Sequence, residues 1–166
     1  MTTIAAIATP NAPGGIAVIR ISGERAFEVA EKIFLPAGDK KVADMRGYTC
    51  AYGEAFDGEE RLDDCILTVF RAPHSFTGED TAEISCHGGI YVTRRILRAA
   101  LANGAVMAQA GEFTKRAFLN GKIDLTQAES VMDIISAKGE RELKMAENIR
   151  EGAAYKAARK ISDRLM

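Results

Sequence analysis

Two charged residues stand where a strand pattern calls for apolar ones. Arg20 interrupts the run Ile16-Ala17-Val18-Ile19-Arg20-Ile21-Ser22, and by alternation it faces the same side as Val18. A guanidinium near a core or cleft needs an anion, either a carboxylate of the chain or a bound ligand. Glu83 lies in Thr81-Ala82-Glu83-Ile84-Ser85-Cys86, among small and apolar neighbours. It is either part of an exposed strand face or a fixed carboxylate. A fixed carboxylate can accept two parallel hydrogen bonds from a fused heterocycle such as a pterin.

Other polar clusters carry weaker chemistry. Ser75-Phe76-Thr77-Gly78-Glu79-Asp80 reads as a tight turn with two acids beside an aromatic; the acids either cap backbone amides or pair with Arg20. Cys86-His87-Gly88-Gly89 runs into a helix, where glycines permit close backbone approach and free amides favour an anion. Established catalytic patterns are missing from the 166 residues. Gly121-Lys122 is followed by Ile123-Asp124, so no phosphate loop with a magnesium-binding hydroxyl forms there, and GxGxxG, HExxH and GxSxG are absent. His74 and His87 fall in different segments and make a poor metal or triad set.

Composition bounds the rest. A chain with 47% hydrophobic and 27% charged residues is ordinary for a globular domain with a real core. Net charge is −1, which argues against this piece as a main nucleic-acid surface, since phosphate-gripping domains carry a basic excess. Arg94, Arg95 and Arg98 form one local basic edge, and Lys156, Arg159, Lys160 and Arg164 another; both read as solvated helix faces. Cys50, Cys65 and Cys86 show no CxxC pairing and read as reduced, partly buried thiols. With no secretory signal and no long apolar run, the expected location is cytoplasmic and the expected site has no metal.

These side chains need a scaffold, and the pattern predicts an α+β fold with a mixed sheet. Strands are expected over Thr3–Thr9 and Ile16–Ser22, then a helix from about Glu24 with Ser22 as N-cap and Phe27, Ala30 and Ile33-Phe34 on one face. Tyr48–Phe56 and Leu62–Phe70 flank Asp57-Gly58 as a hairpin. A strand over Thr81–Cys86, a helix over Ile90–Ala102 closed by Asn103-Gly104, and a last strand over Ala105–Gln109 complete the expected first domain, with a short helix over Glu112–Asn120. The boundary is placed at 120/121. From Asp124 a long helix is expected, with a stripe at Leu125, Ala128, Met132 and Ile135 and then Leu143, Ala146, Ile149, Ala153, Ala157 and Ile161. Such a stripe must be buried, either on the first domain or in a helical bundle whose other helices are missing.

Four blocks carry a resemblance. Gly15–Gly23, Ser75–Asp80, His87-Gly88-Gly89 and the long run Gly111–Glu129 (GEFTKRAFLNGKIDLTQAE) resemble, in order and spacing, the signature blocks of the MnmE (TrmE) family of tRNA-modifying GTPases. Ala110 departs from the family pattern, where proline often precedes the Gly-Glu-Phe block.

The resemblance implies an N-terminal α+β domain similar to the tetrahydrofolate-binding domain of aminomethyltransferases, residues 1–120, followed by the beginning of a helical domain, residues 121–166. It implies that this first domain binds 5-formyltetrahydrofolate and forms a homodimer, and that Arg20, Glu83 and Lys122 contact the folate. For the family as a whole it implies a heterotetramer with the FAD protein MnmG that adds an aminomethyl-type group at C5 of the wobble uridine, U34, of tRNA. GTP hydrolysis with K+ and Mg2+ would belong to a GTPase domain that these residues lack. Two rivals remain: a free-standing one-carbon transferase, and a structural dimerisation module whose charges form only salt bridges.

Overall fold

The computed structural model describes residues 1–38 and 40–150. They fall into two compact units, the first ending at Ala110 and the second starting at Gly111. The division thus comes ten residues before the boundary expected at 120/121, and the short helix after Gly111 groups with the second unit.

In the first unit, β1 (Ile4–Ile7) and β2 (Ile16–Ser22) are followed by α1 (Ala26–Ile33), β3 (Phe34–Pro36) and a 3-10 turn over Val42–Asp44. Next come β4 (Thr49–Asp57), β5 (Glu60–Phe70), β6 (Thr81–His87), α2 (Ile90–Ala102) and β7 (Val106–Met107). The strands make one sheet in the order β3-β4-β5-β6-β2-β1-β7, antiparallel except for the parallel pair β1–β7. A mixed sheet in an α+β unit is what the sequence predicts.

Both helices pack on one face of this sheet. Ala17, Ile19 and Ile21 of β2, Leu67 and Val69 of β5, and Ala82 and Ile84 of β6 meet Val29, Ala30 and Ile33 of α1 and Ile96, Ala99 and Ala100 of α2. Each fully buried Leu- or Ile-sized side chain contributes roughly 1.5–3 kcal/mol. An exposed ion pair contributes about 1 kcal/mol or less. The core therefore holds the sheet, and the charged residues on its other face are free to serve another end.

Several local expectations are corrected. Ser22 is no N-cap: it closes β2, and its hydroxyl engages Thr77 Oγ1 at 2.7 Å and donates to Glu79 Oε2 at 2.9 Å. The start of α1 is instead held from outside, where the Arg25 N–H donates to Thr3 Oγ1 at 3.0 Å. Phe34 does not extend the helix; it turns extended (φ −137°, ψ 126°) and opens β3. The strand expected over Ala105–Gln109 contracts to Val106–Met107. The basic edge on α2 is largely neutralised: Arg95 pairs with Glu60 at 2.6 Å and Asp57 at 3.1 Å, and Arg98 with Asp57 at 2.5 Å. These pairs tie the β4–β5 turn to the helix, and Arg98 and Arg95 hold the Asp57 carboxyl below its ordinary pKa.

In the second unit, α3 (Glu112–Leu119) is the short helix expected there, and α4 (Leu125–Ser136) and α5 (Glu140–Arg150) replace the single long helix expected from Asp124. Asp124 caps α4 in a reciprocal box with Gln127, at 2.8 and 2.9 Å. The break falls at Ala137-Lys138-Gly139, where Glu142 reaches back to accept from the Lys138 N–H at 2.7 Å. Gln127 Nε2 then donates to the Arg150 carbonyl at 2.5 Å, so α5 runs antiparallel to α4. Ser130 and Ala146 are buried, whereas Leu125, Met132 and Ile135 remain exposed. Ala153, Ala157, Ile161 and the basic group Lys156, Arg159, Lys160 and Arg164 lie outside the described residues. No described helix is long and apolar enough to cross a membrane.

The thiols give this core a direct readout. Cys65 and Cys86 are buried, and desolvation pushes them up to about 12 and about 11, while Cys50 is exposed. In the native chain at neutral pH, one of the three thiols is expected to react promptly with an aromatic disulfide reagent. The other two should follow only after denaturant is added. Two prompt thiols would contradict the packing of β5 on β6.

Candidate functional site

The register of the sheet brings two of the three expected site residues together. Arg20 on β2 lies directly opposite Glu83 on β6, both on the face turned away from α1 and α2. Arg20 Nε donates to Glu83 Oε1 at 2.7 Å, and the two side chains keep 28% and 22% of their surface exposed. The pair is thus neither sealed nor solvated. Glu83 Oε2 accepts no hydrogen bond from the described residues, so half of the carboxylate remains available.

The segment after β5 builds one wall. Phe76 sets its ring 5.9 Å from the Arg20 guanidinium carbon, a cation–π contact. The turn that carries Phe76 is held from inside: Ser75 Oγ donates to the Glu79 carbonyl at 2.5 Å, and Thr77 is fully buried against Ser22. Asp80 caps a backbone amide, that of Ala72, at 2.8 Å. Of the alternatives for the two acids, amide capping fits Asp80, and Glu79 accepts from the Ser22 hydroxyl.

The third residue, Lys122, belongs to the second unit, in the loop between α3 and α4. Its backbone N–H donates to the Ala117 carbonyl at 2.9 Å, which together with Gly121 at φ 68° closes α3.

The same row of the sheet contains Thr68, which the sequence reading did not name, and Cys50, which it named only as a partly buried thiol and which is exposed. Thr68 of β5 lies opposite Glu83, and Cys50 of β4 lies opposite Thr68. The row therefore runs Cys50, Thr68, Glu83, Arg20, Ala6 across five strands, with Cys50 Sγ 3.3 Å from Thr68 Oγ1. His87 also gains a partner. Its Nδ1 sits 2.8 Å from Asp63 Oδ1, its backbone N–H donates to Asp63 Oδ2 at 2.7 Å, and the carboxylate raises the imidazole pKa. Beside it, Ile16, Tyr52, Ile66 and Ser85 line a shallow groove of about 260 Å³. Next to the glycines, a Cβ on Gly88 would lie 2.7 Å from the Gly14 carbonyl carbon, so the His87-Gly88-Gly89 block serves close backbone packing. Among the described residues no cluster of three or more metal-ligating side chains occurs.

Comparison with known proteins follows the same blocks. The family described as "GTP-binding protein TrmE N-terminus" matches residues 3–122. Among curated relatives, the tRNA modification GTPase MnmE of Clostridioides difficile is 46% identical over 163 residues, 98% of this chain and 36% of that protein. The proteins of the same name from Symbiobacterium thermophilum and Levilactobacillus brevis are 47% and 50% identical, over 99% and 96% of this chain. The chain spans about a third of the length of these relatives. With the family matched across the whole seven-stranded unit and on to Lys122, the chain belongs to the TrmE N-terminal family.

Proposed function

We propose that this chain binds a one-carbon-substituted tetrahydrofolate, with 5-formyltetrahydrofolate as its stable representative, and pairs with a second copy of itself. In this reading the first unit is a folate-binding fold of the aminomethyltransferase kind. The chain is the front portion of a cytoplasmic tRNA-modifying GTPase that works with the FAD protein MnmG at C5 of U34. GTP, K+ and Mg2+ are assigned to those parts of the relatives' length that this chain does not match.

The observation that carries the proposal is the half-exposed Arg20–Glu83 pair under Phe76. A pterin offers N3–H and a 2-amino group as two parallel donors, the complement of a carboxylate with a free oxygen. Arg20 is then placed to face the pterin carbonyl or the anionic tail. The part given to Lys122 rests on the family resemblance alone. A purely structural reading, in which the pair only staples β2 to β6, is favoured by the same 2.7 Å contact and makes the opposite prediction.

The test is a calorimetric titration of the chain with 5-formyltetrahydrofolate, with GTP as the control ligand. Saturable binding near one folate per chain and no heat with GTP is the expected result. Absence of folate binding would leave the staple as the function of the pair.

A further inference from the structure

The row that contains the Arg20–Glu83 pair ends at a basic cavity. Between the 3-10 turn and the start of β4 lies a space of about 430 Å³, lined by Lys40, Lys41, Asp44, Met45, Arg46, Thr49 and Cys50. Among the described residues that line it, three cations face one carboxylate. Among the described residues, none of the Lys40, Lys41 and Arg46 side chains forms an ion pair. Arg25, Arg61, Arg95 and Arg98 of this unit are matched with acids, whereas Arg94 is exposed and forms no ion pair among the described residues. Three unmatched cations around a cavity on a chain of net charge −1 mark a site for an anion.

The placement indicates which anion. Cys50 belongs both to the lining of this cavity and to the row Cys50-Thr68-Glu83-Arg20. Neighbouring strands lie ~4.8 Å apart, so Cys50 stands about 10 Å from Glu83 along the row. The pterin ring, held at its N3 edge, covers most of this length, and the p-aminobenzoyl spacer extends beyond it. With the pterin's N3 edge on Glu83, its ring lies over Thr68, the spacer enters the cavity at Cys50, and the glutamate end meets the cations that line it.

The geometry points to Lys40, Lys41 and Arg46 as the subsite for the γ-linked glutamates of a polyglutamylated folate, which rests on the folate reading of Glu83. Each added glutamate brings one more carboxylate to a cluster in which, among the described residues, three cations share the single carboxylate of Asp44. Exposed cations bind weakly one at a time, but several engaged by one tail add up. The physiological ligand is accordingly the polyglutamate, and its preference is electrostatic and salt-sensitive.

The experiment compares the mono- and pentaglutamate forms of 5-formyltetrahydrofolate on the wild-type chain and on Lys40→Ala/Lys41→Ala/Arg46→Ala, at low and high salt. All three positions are exposed and form no ion pair among the described residues, so the variant is expected to retain its fold, which its circular dichroism checks. The pentaglutamate is expected to bind the wild-type chain about tenfold more tightly at low salt, in line with several weak ion pairs. That advantage should vanish in the variant and at high salt, with monoglutamate affinity unchanged. Equal affinity of the two forms for the wild-type chain overturns the subsite while leaving the folate reading intact. An advantage that persists in the variant also overturns it. Binding of neither form overturns both readings.

Discussion

Gly53→Ala is expected to lower the melting temperature of the chain by on the order of 10 °C, the cost of a core overpacked against backbone. Gly53 sits on β4 where the short edge strand β3 crosses it, paired with Pro36. A Cβ there would drive into the Leu35 carbonyl oxygen and would stand 2.6 Å from Phe34 Cζ and 2.9 Å from the Leu35 carbonyl carbon. Two of these atoms are backbone and cannot rotate away. The third belongs to a ring that is itself buried and fills the space the glycine leaves. Relief requires β3 to lift from β4, which uncovers Phe34 and loosens the end of α1 that runs straight into it. Overpacking of this kind costs about 3 kcal/mol. Gly15→Ala is the matched control: nothing lies within 4 Å of its Cβ, so its melting temperature should stay within a degree or two, as for a surface change of under about 0.5 kcal/mol. Equal melting temperatures for the two variants would show that β3 does not pack on β4 as described.

The same region shows what was legible in the sequence and what was not. Helix α2 was readable to both ends, because Gly89 and Asn103-Gly104 punctuate it by backbone preference alone. The strand pairs β2–β6 and β4–β5 were readable as strands from alternation and the Asp57-Gly58 turn, with Gly58 at φ 63°. Phe34 was not readable, since its helical spacing is satisfied equally by a strand that begins one residue after the helix. Only the void over Gly53 decides between them. The long helix failed for a related reason: Ala137-Lys138-Gly139 is a mild break by propensity, and packing of α5 back on α4 turns it into a corner.

The site was half legible. Arg20 and Glu83 announced themselves as charges in strands, each by itself. Their pairing needed the β2–β6 register, which no short turn sets. Thr68 and Cys50 were hidden more deeply. Counting back from the β4–β5 turn pairs Asp57 with Glu60 and Phe56 with Arg61, and would place Leu67 opposite Cys50. A bulge between Ala55 and Phe56 shifts the register by one and puts Thr68 there instead. One inserted residue thus decides whether a core leucine or a hydroxyl continues the row from Glu83 to the basic cavity.

Glu83→Lys is the second large effect, and it separates a ligand site from a staple. The reversal removes the carboxylate proposed to take two pterin donors and sets a cation beside Arg20. Hydrogen bonds to a charged group are worth about 1.5–3 kcal/mol each, so the loss of two weakens 5-formyltetrahydrofolate binding by at least about 100-fold. The cost to folding is smaller. The pair is 22–28% exposed, and like charges opposite each other on neighbouring strands destabilise by about 1 kcal/mol or less. Calorimetry should therefore report no folate binding by a chain whose circular dichroism is that of the wild type and whose melting temperature is only a few degrees lower. The exchange Arg20→Glu/Glu83→Lys sharpens the result. It restores an ion pair across β2 and β6, and with it the melting temperature, but it moves the carboxylate one strand away from the Thr68 side of the row. A staple is satisfied by either orientation of the two charges; a carboxylate that reads a pterin edge is not. Folate affinity should stay lost in the exchanged chain. If Glu83→Lys binds folate as the wild type does, or if the exchange restores binding along with stability, Glu83 is not the pterin acceptor and the pair is structural.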